Sequence, residues 1–197
     1  MNNAIEVEQK YHVDEADVLQ HRLVALGATE QPFQEHADTY FNHPCRDFAQ
    51  THEALRIRYS NGMPLITYKG TKLPGAVKAR RELEWRLDPG DVDGSQMQTL
   101  LDLLGFRRVA TVKKDRRSFL LAKNDHEFTV TIDHVHALGW FSEIELVIES
   151  HNDQQVSQQE TRIADARARI LELAPELGLH RDEPRSYLRM LLESPSN

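Results

Sequence analysis

The sequence lacks the features that mark several common protein classes. Its single cysteine, Cys45, can form neither a disulfide within the chain nor a thiolate zinc cluster. No apolar run approaches the roughly 18 residues that a membrane-spanning helix needs. The opening residues MNNAIEVEQK have no basic and apolar segments of the kind found in a signal peptide. We therefore expect a cytoplasmic protein without a membrane partner and without a thiol-based metal site.

Positive charge is also scarce. The 197 residues hold 24 Lys and Arg against 31 Asp and Glu, a formal net charge of −7, which argues against nucleic acid as a partner. Apolar residues make up 40% and charged residues 28%, a balance typical of a globular protein. The length favours a single domain. We expect this domain over residues 1–193, followed by a disordered tail at 194–197.

Several familiar catalytic and phosphate-binding motifs are missing. The sequence contains no G-x-x-x-x-G-K, G-x-G-x-x-G, H-E-x-x-H or G-x-S-x-G pattern. Recognition of phosphate at a helix N-terminus is therefore not expected. His134 and His136 have the spacing of two ligands on one strand face, but Asp133 takes the opposite register, and we expect the two histidines on the surface.

Alternation with period two dominates the chain and predicts strands. Asn61-Gly62 and Asn124-Asp125 are hairpin-turn signals between neighbouring strands. Eight strands are predicted, over residues 4–12, 36–41, 53–60, 63–69, 79–87, 108–122, 126–133 and 141–149. Helices are predicted between a cap at Asp14 and Gly27, and over about 95–104, 153–174 (with Pro175 beyond the end) and 184–193. This is an α+β fold with an antiparallel meander, which closure into a β-barrel would free of exposed edges.

The second face of these strands is charged rather than mixed. The first strand sets the pattern, because apolar Ile5 and Val7 alternate with Glu6 and Glu8. The same face of the other strands adds charges of both signs, giving seven acids (Glu6, Glu8, Glu82, Glu84, Asp133, Glu143, Glu145) and seven bases (Lys10, Arg56, Arg58, Lys69, Arg86, Lys114, Arg116). One interpretation is a solvated outer face with weak cross-strand ion pairs.

The sign of the charges favours a different interpretation. Two E-x-E pairs, Glu6/Glu8 and Glu143/Glu145, would together offer hard oxygen ligands, and such a cluster repels itself unless a cation such as Mg²⁺ or Mn²⁺ binds. Two basic pairs, at Arg56/Arg58 and Lys114/Arg116, supply the groups that bind phosphate oxygens. We interpret the charged faces as the lining of a lumen that binds a metal and a polyphosphate, with the hydrophobic core outside the barrel.

Six motifs occur in a fixed order along the sequence and resemble those of a known family. The motifs are Glu6-Val7-Glu8-Gln9-Lys10, Leu55-Arg56-Ile57-Arg58, Thr67-Tyr68-Lys69-Gly70, Arg81-Glu82-Leu83-Glu84, Val112-Lys113-Lys114-Asp115-Arg116 and the segment 138–145, LGWFSEIE. In this order they resemble the CYTH superfamily, the triphosphate tunnel metalloenzymes, over nearly the whole chain. The resemblance implies an eight-stranded antiparallel tunnel that binds a triphosphate together with one or two divalent cations. Members of the family are often dimers, which implies a possible homodimer.

The resemblance also implies roles for individual residues. The metal ligands would be Glu6, Glu8, Glu143 and Glu145, with Asp133 in support. The triphosphate clamp would comprise Lys10, Arg56, Arg58, Lys69, Lys114 and Arg116, with Lys10 and Lys69 also acting in catalysis. Glu82 and Glu84 could hold a second metal, orient the nucleophile or pair with a clamp arginine. Arg86 has no counterpart in the family pattern, and we expect it to be exposed or paired.

Three functions remain open at the level of the sequence. The first is a class IV adenylyl cyclase, which converts ATP into cyclic AMP and pyrophosphate. The second is a triphosphatase acting on thiamine triphosphate or tripolyphosphate, in which Tyr40 beside Lys69 would assist hydrolysis; Tyr40 could instead be a core aromatic residue. The third is a sensor that binds a polyphosphate or nucleotide without turnover. The basic loop from Lys72 to Arg81 could cover a tunnel mouth or simply be solvated.

Overall fold

The fold is described from a computed structural model, which covers residues 3–71, 78–150 and 156–194. The predicted basic loop at 72–81 and the predicted tail at 194–197 therefore lie largely outside the described residues. Within those residues the elements, in chain order, are β1 (Asn3–His12), α1 (Ala16–Ala25), β2 (Thr29–Glu30), β3 (Gln34–Asn42), α2 (Phe48–Thr51), β4 (Ala54–Ser60), β5 (Met63–Lys69), β6 (Lys78–Arg86), α3 (Ser95–Leu103), β7 (Arg107–Lys123), β8 (His126–Val135), β9 (Gly139–Ser150), α4 (Val156–Glu176) and α5 (Tyr187–Glu193).

Eight of these strands close into an antiparallel barrel. Around the barrel they follow the order β7-β3-β4-β5-β6-β1-β9-β8, and β8 pairs back onto β7. The short strand β2 pairs with β7 outside this ring. Closure leaves the eight barrel strands without a free edge, which confirms the predicted eight-stranded barrel.

The predicted strands match the observed ones to within a few residues at each end. Both predicted hairpin turns are present, and their central residues have positive φ: 45° and 83° at Asn61-Gly62, and 51° and 61° at Asn124-Asp125. A turn of this shape suits the twist of the strands it joins. The two-residue strand β2 and the one-turn helix α2 are too short to produce a periodic signal, and alternation does not predict them.

Two helix ends differ from the predictions. Asp14 does not cap α1, because its carboxylate accepts a hydrogen bond from Arg181 at 2.8 Å, and the helix begins after Glu15 instead. Pro175 is not beyond the end of α4 but within its last turn. The helix continues past the proline because buried Leu173 and Leu177 hold that turn against the barrel.

The helix α5 is shorter than predicted. It begins at Tyr187, after residues 184–186, and the Ser186 hydroxyl caps it by accepting a hydrogen bond from the Arg189 N–H at 3.1 Å. This capped start places Tyr187 in the first turn of the helix, where its side chain is buried.

The hydrophobic core lies outside the barrel. The larger cluster joins apolar residues of β1, β7, β8 and β9, such as Val7 and Ile144, to α1 and α4. A second cluster joins β3, β4 and β5 to α2 and α3. Because successive strand residues point to opposite faces, burying these apolar residues under the helices turns the charged residues between them into the lumen. The predicted arrangement of core and lumen is confirmed.

The helix α5 packs at one end of this lumen. Val112, Val135 and Phe141 lie two residues from charged lumen residues of the same strands, so they face inward. They form a third apolar cluster with Tyr187 and Met190 of α5. One end of the lumen is therefore lined by apolar groups and the rest by charges.

Among the described residues, no helix combines the length and the apolar character that crossing a bilayer requires.

Candidate functional site

The charged side chains of the barrel fall into two arcs of adjacent strands. The basic arc consists of β7, β3, β4 and β5, and its cations are Lys114, Arg116, Arg56, Arg58 and Lys69. The acidic arc consists of β6, β1, β9 and β8, and its acids are Glu82, Glu84, Glu6, Glu8, Glu143, Glu145 and Asp133. The lumen is thus mainly basic on one side and mainly acidic on the other, but each side also holds opposite charges. Asp38 lies on β3, Lys10 lies on β1, and Arg80 of β6, which sequence analysis did not single out, comes within 3.8 Å of Glu8.

On β4 of the basic arc, two arginines share one buried carboxylate. Arg58 binds Asp38 through two hydrogen bonds, of 2.7 and 2.8 Å, and Arg56 adds a third at 3.1 Å. Burial alone would raise the pKa of Asp38, but the two guanidinium groups hold it well below its usual range. Asp38 stays ionised and fixes both arginines in place.

The two cations of β7 are likewise held in place by one buried carboxylate, which belongs to β8. Asp133 of β8 lies opposite Arg116 and accepts two hydrogen bonds from it, both of 2.6 Å. It also accepts bonds from Lys114 at 3.2 Å and from the Tyr187 hydroxyl at 2.8 Å. Asp133 is fully buried, which alone would raise its pKa, but Arg116 and Lys114 hold the pKa below its usual range. Asp133 therefore orients Lys114 and Arg116 of the predicted triphosphate clamp. Its role beside a metal stays a prediction.

The state of Lys114 is unusual for a lysine. Burial, and next the charge of Arg116, lower the pKa of Lys114 to about 8. The carboxylates of Asp133 and Glu143 oppose this shift without cancelling it. An arriving polyanion would reverse the balance, because a negative charge beside the ammonium group favours its protonated form.

Lys10 lies at the apolar end of the lumen. Its ammonium group donates to the Arg185 carbonyl at 2.9 Å, lies 3.8 Å from the centre of the Tyr187 ring and is 3.7 Å from Glu143. These contacts tie β1 to the segment that precedes α5. The predicted roles of Lys10 in binding and catalysis stay predictions, while its observed contacts secure the end of the lumen.

The acidic arc brings three glutamates of the E-x-E pairs together. Glu8 and Glu145 face each other across the β1–β9 ladder. Burial, and next the negative charge of Glu6, raise the pKa of Glu145 to about 9, so that this carboxyl keeps its proton at neutral pH. Glu143 differs, because it lies against cations: Arg116 bonds to it at 2.6 Å.

This donor set fits a divalent metal ion. Carboxylate oxygens are the ligands that Mg²⁺ and Mn²⁺ prefer, and three glutamates within mutual repulsion are what a cation would relieve. Glu6, Glu8 and Glu145 stay predicted ligands, as does Glu143, whose observed partners include Arg116. Without a metal ion, the proton on Glu145 reduces the repulsion between these carboxyl groups; a bound cation would do the same.

Lys69 joins the two arcs. Its ammonium group bonds to Glu6 at 2.6 Å and also to Glu82. Glu84 accepts a hydrogen bond from Thr67 at 2.6 Å, and both Glu82 and Glu84 come within 3.9 Å of Arg56. Of the three roles open to these two glutamates, pairing with clamp cations is the one their contacts display.

Tyr40 lies inside the lumen, whereas Arg86 lies on the surface. Tyr40 faces the lumen beside Arg56. Burial lowers the pKa of that guanidinium group, but Asp38 and, to a smaller extent, Tyr40 raise it, so that the net shift is upward. It also packs on the apolar cluster at the end of the lumen, so its pairing with Lys69 stays a prediction. Arg86 is exposed and bonds to Asp88, as expected.

Sequence reasoning missed His36, which lies in the centre of the basic arc. The side chain is 5% exposed, and neither ring nitrogen has a hydrogen-bond partner within the part of the chain that the structure describes. Burial, followed by the charges of Arg58, Lys114 and Arg116, lowers the pKa of His36 to about 2. A neutral imidazole with open hydrogen-bonding positions is therefore available to a bound ligand. Its period-two spacing from Asp38 and Tyr40 is the signal that could have identified it.

Comparison with known proteins gives consistent matches. The CYTH domain model matches residues 4–187. MJ0240, a candidate adenylate cyclase of Methanocaldococcus jannaschii, is 34% identical over 190 residues, which cover 94% of this chain and 98% of that protein. The PH1819 protein of Pyrococcus horikoshii is 35% identical, with a TM-score of 0.79 over 95% of this chain and 98% of its own.

A more distant structure shares the fold. HpAC1 of Hippeastrum, described as a candidate adenylyl cyclase with a dominant triphosphatase activity, is 16% identical, with a TM-score of 0.62 over 96% of this chain and 95% of its own.

Proposed function

The chain belongs to the CYTH family, and we propose that it is a divalent-metal-dependent enzyme that converts ATP into cyclic AMP and pyrophosphate within the lumen. The observation that carries this proposal is the division of the lumen into an acidic and a basic arc. A triphosphate with its metal ion presents both signs of charge, and the two arcs offer each sign its complement. The similarity to MJ0240, a candidate adenylate cyclase, supports the cyclase reaction over others.

The basic arc would bind the phosphate chain. Arg58 and Arg116 present guanidinium groups that a buried aspartate holds in a fixed orientation before any ligand arrives. Preorganised cations of this kind stabilise the charge that develops on a leaving phosphate without moving during the reaction. His36 lies between these cations and can donate one further hydrogen bond.

The acidic arc would hold the metal. A bound Mg²⁺ or Mn²⁺ supplies charge neutralisation to phosphate oxygens. Glu6, Glu8 and Glu145 provide the oxygen ligands, and Lys69 orients Glu6 through its 2.6 Å bond. Since Lys69 also contacts Glu82, one lysine sets the position of two carboxylates on neighbouring strands.

The proposed reaction is an intramolecular displacement at the α-phosphorus of ATP. The ribose 3′-oxygen attacks the α-phosphorus, the bond from the α-phosphorus to the bridging oxygen breaks, and pyrophosphate leaves with the electron pair while the 3′-hydroxyl proton is released. The cations of the basic arc stabilise the negative charge on the departing pyrophosphate. Reaction rates of phosphoryl transfer depend mainly on such positioning and charge stabilisation.

A triphosphatase acting on tripolyphosphate or thiamine triphosphate is the second candidate. The position of Tyr40 favours it, because the hydroxyl faces the lumen beside Arg56, where it could orient a water molecule toward a terminal phosphate. In this reaction water replaces the ribose oxygen as the nucleophile, and the same basic arc stabilises the leaving group.

Product identification tests the proposal. Purified protein is incubated with Mg²⁺ or Mn²⁺ and, separately, with ATP, thiamine triphosphate and tripolyphosphate, and products are separated by chromatography. We expect cyclic AMP and pyrophosphate from ATP, lost in Arg58→Ala and Glu145→Gln and retained in the matched surface variant Arg86→Ala. Phosphate as the product from tripolyphosphate or thiamine triphosphate, with no cyclic AMP from ATP, would replace the cyclase with the hydrolase.

The variant Tyr40→Phe separates the two reactions further. A cyclase uses the ribose oxygen and should lose little activity when this hydroxyl is removed. A hydrolase that depends on Tyr40 to orient water should lose about 10²-fold or more in kcat. Full hydrolytic activity in Tyr40→Phe would show that Tyr40 is an aromatic packing residue.

A further inference from the structure

A second group of metal-ligating side chains lies on the outer surface of the barrel. Asp115, His134 and His136 each offer one ligand atom, and these three atoms lie within 4.8 Å of one another. Asp115 follows the clamp residue Lys114, and His134 follows Asp133, so strand alternation turns both away from the lumen. The group is therefore separate from the glutamates of the acidic arc.

The local fold explains why these residues meet. Asp115 of β7 pairs directly with His134 of β8. His136 returns to the same face one residue beyond the end of β8, where its backbone N–H bonds to the Lys113 carbonyl at 3.0 Å. Two histidines with strand spacing and one cross-strand carboxylate thus come from two adjacent strands of a closed barrel. A rigid scaffold of this kind fixes ligand positions before a metal binds.

The distances suit tetrahedral coordination. One oxygen of Asp115 lies 3.3 Å from Nε2 of His136 and 3.7 Å from Nδ1 of His134. Metal–ligand bonds of about 2.0–2.2 Å to zinc imply ligand atoms roughly 3.4 Å apart at the corners of a tetrahedron. Two of the three separations are already near this value, and small side-chain rotations would complete the set.

The surroundings hold one ligand in place. The ring of His134 packs against Trp140, with centroids 4.6 Å apart and an interplanar angle of 35°. The side chains of Asp115, His134 and His136 are 38%, 41% and 50% exposed, so an ion can reach them from solvent. Two imidazoles and one carboxylate select a borderline transition metal over Mg²⁺, which prefers oxygen ligands.

We infer that Asp115, His134 and His136 form a Zn²⁺ site on the outside of the barrel, distinct from the metal site of the lumen. Three protein ligands leave a fourth position to water, as in open zinc sites. The ion links β7 to β8 behind the residues that carry the Lys114, Arg116 and Asp133 contacts. Its binding therefore stabilises the part of the barrel wall on which the clamp is built.

Metal counting tests this inference. Protein made without a polyhistidine tag is dialysed against Zn²⁺ in excess Mg²⁺, and bound zinc is measured by mass spectrometry. We expect one zinc per chain in the natural sequence and in Glu145→Gln, which alters only the lumen. In His134→Ala and His136→Ala the affinity should fall at least 100-fold, since even groups that merely orient a ligand contribute about 10–100-fold.

A matched control separates this site from general histidine binding. His126 is 33% exposed and lies 3.6 Å from Asp165, but the two belong to no group of three metal-ligating side chains among the residues that the structure describes. His126→Ala should therefore keep the bound zinc, and Zn²⁺ should raise the unfolding temperature of this control but not of His134→Ala. Equal zinc binding in His126→Ala and His134→Ala, or the absence of bound zinc from the natural sequence, would overturn the inference. Unfolding in EDTA verifies that each variant is folded.

Discussion

The basic and acidic arcs of the lumen balance their charges in different ways. On the basic arc, each pair of cations comes with its own buried aspartate, Asp38 on β3 or Asp133 from β8. On the acidic arc, burial and next the negative charge of Glu6 raise the pKa of Glu145 to about 9, so that this carboxyl retains its proton at neutral pH. Aspartates of the chain thus hold the cations of the basic arc in place. On the acidic arc, the cations of the chain neutralise only part of the negative charge of the glutamates.

This difference shows how one barrel can hold both a polyanion and a cation. The internal aspartates keep the clamp cations ionised and oriented, at the expense of some of their attraction for phosphate. Glu145 is left in repulsion with Glu6 and Glu8, which a cation would relieve. Removing a carboxylate that pairs with clamp cations should therefore have the opposite effect on stability from removing that of Glu145.

The largest expected effect is for Asp133→Asn, because Asp133 lies on β8 of the acidic arc but pairs with two cations of the basic arc. The variant leaves Lys114 and Arg116 buried with a neutral amide in place of their shared carboxylate. Breaking a buried ion pair by removing one partner costs about 3–5 kcal/mol, and we expect a loss of this size in the free energy of unfolding. Urea denaturation measures it, with exposed Asp165→Asn as the control. Equal stability of the two variants would show that the clamp does not depend on Asp133.

For Glu145 the sign reverses. Glutamine resembles the protonated form of Glu145, so Glu145→Gln should increase stability in EDTA at pH 7 by about 1–3 kcal/mol. The natural carboxyl has its pKa raised from 4.5 to about 9 on folding, so its contribution to stability is present below pH 4.5 and is lost progressively as the pH rises toward 9. The advantage of the variant should grow over the same range.

Denaturation curves at several pH values between 5 and 8 supply this measurement. Glu172→Gln, on the exposed face of α4, is the matched control and should show no such trend. Adding Mg²⁺ should stabilise the natural protein more than Glu145→Gln. If the two glutamine variants had the same pH dependence, the acidic arc would not be under the repulsion that the structure indicates.

A smaller effect should accompany ligand binding at Lys114. Its pKa of about 8 leaves it about half protonated at pH 8, and a bound polyanion would complete the protonation. Tripolyphosphate binding at pH 8 should therefore take up roughly half a proton more than it does in Lys114→Met. Titration calorimetry in buffers of different ionisation enthalpy measures this difference. Lys113→Met, on the outer face of the same strand, should behave as the natural protein does; the same loss of uptake there would contradict the role of Lys114.

Most of the fold could be predicted because each strand has two faces in different surroundings. Helices bury the apolar face and the lumen holds the charged face, so period-two alternation appears along eight strands. The same alternation predicts which residues face the lumen. The short elements β2 and α2 contain too few residues to show a period.

Alternation cannot predict which lumen residues lie opposite one another, and the site was less predictable for this reason. The sequence predicts that Asp133 faces the lumen, but only the β7–β8 register shows that it lies against Arg116, and its role beside a metal stays a prediction. His36 shares the inward face with Asp38, but a lone histidine carries no motif. The contact of Tyr187 with Asp133 depends on how α5 packs, which strand spacing does not determine.

The smallest expected effect is at Arg86, and it marks where the charged lumen ends. Arg86 has the strand register of Glu82 and Glu84, yet it is exposed and bonds to Asp88 beyond the end of β6. An exposed pair of this kind contributes little to stability because water screens it. Arg86→Ala should therefore leave tripolyphosphate affinity and the urea midpoint unchanged, while Arg58→Ala, inside the basic arc, weakens the affinity at least about 10-fold. If Arg86→Ala weakened binding as much as Arg58→Ala, the surface that binds tripolyphosphate would extend to the Arg86 end of β6, and Arg86 would belong to the charged lumen.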